Sequence, residues 1–76
     1  MNIRDLSEIF EEVIDLSGIP LSPTSVLGED VPVDSREMLR ILSRVESRCG
    51  VKFEPTEILR FETAGDILDA VSRQAG

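Results

Sequence analysis

The segment DSREMLRILSRVESRC, Asp34 to Cys49, decides how this chain reads. At about 100° per residue, Met38, Ile41, Leu42, Val45 and Cys49 collect on one side of a helix. Arg36, Arg40, Arg44 and Arg48 fall on the opposite side, each four residues from the last. Asp34 precedes the pattern and Glu37 follows it by three residues, the spacing of a capping box. In such a box the aspartate accepts from an amide of the first turn and the glutamate reaches back to the cap's own amide. The cap is then Asp34, and Ser35 sits on the first turn beside it, not in it.

Outward from this helix, the pattern predicts an all-α chain. Residues 3–16 are expected to form a first helix, with Ile3, Leu6, Phe10 and Val13 at helical spacing and Ile9, Ile14 and Leu16 widening the stripe. Asn2 and Asp5 offer a capping box, Gly18 a C-terminal stop, and Pro20 lies beyond the helix. Residues 17–33 hold three prolines, three serines and two glycines, yet also Ile19, Leu21, Val26, Leu27, Val31 and Val33. That apolar content predicts a long ordered connection pinned across the helix ends, with a short turn near Thr24–Leu27, rather than a free linker. After the 35–49 helix, Gly50 is the expected stop, and Val51 and Phe53 share one face of an extended piece. Pro55-Thr56 opens a short helix over 56–61, and Thr63-Ala64-Gly65-Asp66 is a further capping box that starts a helix over 64–73. The expected architecture is a small four-helix bundle: three main helices, one short helix and a long first loop, in one domain spanning 1–76.

Composition removes several functions. Without histidine, and with a single cysteine, the chain offers no histidine base, no Cys/His zinc site and no internal disulfide. Seventy-six residues leave no room for a deep cleft lined by a supported catalytic shell. Glu8, Glu11, Glu12 and Asp15 read as a solvated helical face, not as catalytic acids, and Cys49 as a small buried hydrophobe. One cysteine and no leader pattern point to a reducing, cytoplasmic setting, and no apolar run approaches membrane-spanning length. The net charge is −7, but the 35–49 helix carries four arginines against two glutamates, so the remainder carries −9. That bulk charge opposes nucleic-acid binding despite the arginine ladder.

Taken together, Asp34-Ser35, a helix of this length, Gly50-Val51-Lys52-Phe53 and Thr63-Ala64-Gly65-Asp66 resemble the acyl carrier proteins over nearly the whole chain. The resemblance implies that Ser35 takes a 4′-phosphopantetheine arm through a phosphodiester, with Asp34 in support. The arm's thiol would hold an acyl, or sometimes aminoacyl, group as a thioester. The implied protein is a non-catalytic, monomeric carrier that serves a phosphopantetheinyl transferase and acyl-transferring or acyl-modifying enzymes. A fatty-acid pathway or a specialised acyl or secondary-metabolite pathway would suit it. Apart from the family, a hydroxyl on a first turn lies near free amides, where the helix dipole favours phosphate. The alternatives are a carrier-like interaction domain without the arm, or an aminoacyl or peptidyl carrier. The acyl cleft is expected between the second and third helices, at Leu39, Leu42, Phe53, Ile58 and Leu59.

The chain departs from the family's habit in several places. Arg36 follows the serine where a leucine is usual, and five residues separate Leu27-Gly28 from Asp34-Ser35 where one is usual. Cys49 stands where an aromatic is common. Arg36, Glu37, Arg40 and Arg44 are the expected partner-binding residues, with Glu37 partly balancing the arginines, and a basic face in place of an acidic one implies altered partner choice.

Overall fold

The computed structural model describes residues 1–75. Four helices follow in order: α1 (Ile3–Val13), α2 (Ser35–Cys49), α3 (Pro55–Ile58) and α4 (Ala64–Ala75). Among the described residues there is no sheet, only two isolated bridges, Val26 with Thr63 and Leu27 with Val31. Leu6, Ile9 and Phe10 of α1 are fully buried and pack against Ile41, Leu42 and Val45 of α2 and Ile67, Ala70 and Val71 of α4.

The helix starts form as their side chains dictate. Asn2 Oδ1 accepts from the Asp5 amide at 2.9 Å while Asp5 Oδ2 accepts from the Asn2 amide at 3.2 Å. Before α4, Thr63 and Asp66 exchange the same pair of bonds at 3.3 and 3.0 Å, and Asp66 Oδ2 also accepts from the Glu62 amide at 2.8 Å. Gly50 ends α2 in the left-handed conformation at φ 67°. Val51 and Phe53 are both buried on one side of the following extended piece. Gln74 fastens that piece to α4 by bonding both the amide and the carbonyl of Lys52.

Three expected helices change their bounds, the last of them by running from Ala64 on to Ala75 where 64–73 is expected. The helix expected over 3–16 ends at Val13, because Ile14 turns extended at φ −130°, ψ 163°. The cause lies in Ile14-Asp15-Leu16: residues two apart lie about 200° apart on a helix but on one face of an extended chain. Burying both Ile14 and Leu16, as the structure does, requires the extended form. Asp15 then accepts from the Ser17 amide at 2.8 Å, and the reversal runs through Ser17 and Gly18, both at positive φ. Gly18 therefore serves this turn instead of stopping α1. The short helix covers Pro55–Ile58 in place of 56–61, with proline in its first turn. Beyond it, i→i−3 bonds from Arg60 to Glu57 and from Phe61 to Ile58 carry the chain on as tight turns.

The long connection is strapped to the start of α4. The amides of Ala64 and Gly65, which have no acceptor within the helix, donate to the carbonyls of Ser25 (3.1 Å) and Pro23 (2.8 Å). Leu27 donates to the Glu62 carbonyl at 2.9 Å, and Val31 plugs into the core fully buried. The loop carbonyls and the Thr63–Asp66 box together satisfy one helix end.

Gly65 permits that approach: a Cβ there would lie 2.7 Å from the Pro23 carbonyl oxygen, which is backbone and cannot swing away. Gly65→Ala is expected to cost about 1–3 kcal/mol, read as a lower urea midpoint. The Asp66 carboxyl titrates below its ordinary value, chiefly because the Glu62 and then the Thr63 amide donate to it. A group whose pKa is depressed by folding stabilises the fold above its unfolded value, and that contribution disappears as pH falls through the folded value. Acid titration of wild type should therefore show a loss of stability below about pH 4 that Asp66→Asn lacks.

Candidate functional site

The first turn of α2 is closed by its neighbours on either side of Ser35. Asp34 Oδ1 accepts from the Glu37 amide at 2.8 Å, and Glu37 Oε1 accepts from the Asp34 amide at 3.0 Å. The Asp34 carbonyl takes the Met38 amide at 2.9 Å. Ser35 itself is exposed, and the amides of Ser35 and Arg36 find no acceptor among the described residues. An exposed hydroxyl beside free amides at the positive end of a fifteen-residue helix suits a phosphate ester.

A cavity of about 190 Å³ opens at the same turn, lined by Leu27, Val33, Asp34, Ser35, Met38, Leu42, Ile58 and Phe61. Six of its eight lining residues are apolar, and Asp34 and Ser35 leave its mouth polar. Ser35, Met38 and Leu42 lie at i, i+3 and i+7 on one stripe of α2, so the hydroxyl and the apolar wall share a helix face. The strapped loop supplies Leu27 and Val33, and the segment around α3 supplies Ile58 and Phe61.

The five residues expected to form the cleft divide. Leu42 and Ile58 line the cavity. Phe53 is buried behind it, edge-on to Phe61 with ring centroids 5.4 Å apart. Leu39 and Leu59 do not line it; they are 56% and 86% exposed. Leu39 is one residue past Met38, hence about 100° further round the helix. Leu59 follows a single turn too short for periodicity to assign a face. Met38, Leu27, Val33 and Phe61 replace them, and the i+3 spacing of Met38 from Ser35 was the sequence signal for the first of these.

The arginine ladder divides as well. Both carboxylate oxygens of Glu12 on α1 are taken, one by Arg44 Nη1 at 3.1 Å and the other by Arg48 Nη2 at 2.9 Å. The expected balance from Glu37 is thus supplied by Glu12, since a Glu37 oxygen is held in the cap. Arg36 and Arg40 are exposed and form no ion pair among the described residues. Cys49 is a free, half-buried thiol packed against the core. Among the described residues no group of His, Cys, Asp or Glu is disposed to hold a metal, and no helix is long and apolar enough to cross a membrane.

The family model described as the phosphopantetheine attachment site matches residues 4–71. The chain belongs to this family. No curated protein and no solved structure matches it closely enough to count as a relative. As a member it is a non-catalytic carrier that works through phosphopantetheine attachment, and its all-α four-helix arrangement agrees with that role.

The Glu12 clamp lies at the surface, with its side chains 36–52% exposed, so its expected contribution is modest. Glu12→Gln should lower stability by less than about 1 kcal/mol, and the difference should shrink in 1 M salt. Urea unfolding at two ionic strengths measures it.

Proposed function

We propose that Ser35 is the attachment residue and that the chain carries acyl groups between enzymes, in fatty-acid synthesis or a specialised acyl pathway. The observation that carries this reading is the free Ser35 hydroxyl, left out of the cap by Asp34 and Glu37 and placed at the rim of an apolar cavity. The other serines are less suited. Ser22 and Ser25 bond one another, with Ser25 Oγ accepting from the Ser22 amide. Ser7, Ser43, Ser47 and Ser72 lie inside helices, where the amides are already committed, and Ser17 sits at positive φ in the reversal after α1.

When bound, 4′-phosphopantetheine supplies a flexible arm whose terminal thiol holds an acyl group as a thioester. The chain's own part is to anchor and to shelter. The free amides of Ser35 and Arg36 favour a phosphate at the helix start. Leu42 and Ile58, with Met38, Leu27, Val33 and Phe61, offer an aliphatic and aromatic surface that suits a hydrocarbon better than an aminoacyl group. Asp34 has a second role in this reading, holding the first turn so that the serine faces outward.

The partners implied are a phosphopantetheinyl transferase and enzymes of acyl transfer. Incubated with coenzyme A and a broad-specificity transferase, wild type is expected to gain the mass of one arm and Ser35→Ala none. An unchanged wild-type mass, or a gain by Ser35→Ala, would refute the assignment. Intact mass spectrometry of protein from its native cells then reports arm and cargo together.

A further inference from the structure

The arginines of α2 recur every four residues, and a four-residue step overshoots one turn by about 40°. Across Arg36, Arg40, Arg44 and Arg48 the row therefore winds about 120° round the helix. It begins on the outer face beside Ser35 and ends on the flank that meets α1. The far end is occupied: Glu12 takes both Arg44 and Arg48. The near end is not. Arg36 and Arg40 are exposed without an ion pair among the described residues, and Leu39 lies between them in sequence, 56% exposed.

We infer that Arg36, Leu39 and Arg40 form a docking surface for partner enzymes that present carboxylates around a small apolar socket. This rests on the attachment reading of Ser35. An enzyme that acts on that hydroxyl must approach the first turns of α2, and these three side chains are what it meets there. Two guanidinium forks match carboxylates in bidentate geometry, and a leucine between them is an anchor that loses water on contact. The two carboxylates nearest the serine are less available, since Asp34 and Glu37 each hold the other's amide. Acidic protein fits this surface better than a polyanion does. A charge of −9 outside the helix repels nucleic acid and anionic lipid over their whole length, whereas an enzyme need offer only a local patch.

The probe is a phosphopantetheinyl transferase with coenzyme A, in two forms: one with acidic residues around the mouth of its active site, and the same enzyme with those residues changed to lysine. The acidic form is expected to load wild type with a kcat/KM about tenfold above that for Arg36→Glu/Arg40→Glu, and the lysine form to reverse the order. Leu39→Ala should slow loading by both forms. Arg48→Glu should lower thermal stability yet keep the wild-type preference, because Arg48 serves Glu12 at the far end of the row. Circular dichroism establishes that each variant is folded. Equal loading of wild type and Arg36→Glu/Arg40→Glu by both forms would overturn the docking surface and leave Ser35 attachment standing. No arm on any variant would overturn both. Retention of wild type by phosphatidylserine vesicles or a DNA duplex, or a wild-type dimer in sedimentation, overturns the acidic-enzyme assignment if Arg36→Glu/Arg40→Glu abolishes it.

Discussion

Asp34 and Glu37 close the start of α2 on each other, and the proposed use of Ser35 depends on that closure. If the serine were the cap, its hydroxyl would accept from the third amide of the helix and be unavailable for chemistry. With the cap moved one residue earlier, the serine gains a helical backbone, an outward direction and two unpaired amides beside it. A local hydrogen-bonding pattern of four residues thereby separates the work of starting a helix from the work of presenting an alcohol.

The cavity beside that alcohol depends on a second closure at the other end of the molecule's sequence. Its wall draws Leu27 and Val33 from the connection between α1 and α2. The turns between Val26 and Val33 close on one another, but those local bonds do not fix the segment against the helices. The amides at the start of α4, which lack an acceptor within the helix, do so, donating to the carbonyls of Ser25 and Pro23 while Val31 anchors the loop in the core. Satisfying a helix end and shaping the wall of the cavity are here the same set of bonds. The length of the loop, unusual for a helix–helix connection, follows from the need to reach α4 and return.

Much of this was legible because it is local. Each capping box is a three-residue spacing, and all three formed as expected from sequence. The four-helix order, the stop at Gly50 and the paired burial of Val51 and Phe53 were equally readable from nearest neighbours. Failures arose where one pattern satisfied two periods or none. Ile14 and Leu16 lengthened an apolar stripe on paper, although residues two apart cannot both face a core from a helix. Leu39 and Leu59 were drawn into the cleft by chemical type alone, and their faces decide otherwise. Glu12 was read as one acid of a solvated row because its partners lie 32 and 36 residues away, beyond any local rule.

That last pairing alters how the charge should be read. A net charge of −7 suggests a molecule sought by basic partners, and at a distance it is one. At physiological salt, however, exposed charges are screened beyond about 8 Å, so a partner in contact with α2 feels mainly the groups it touches. There, Arg44 and Arg48 share the one negative charge of Glu12, Asp34 and Glu37 are bound into the cap, and Arg36 and Arg40 have no ion-pair partner among the described residues. The total therefore governs solubility and the first approach, whereas the winding of a four-residue repeat around a helix of 3.6 residues per turn governs the surface presented beside Ser35. An even spacing in sequence becomes an uneven distribution in space, with one end of the ladder used for internal attachment and the other facing outward.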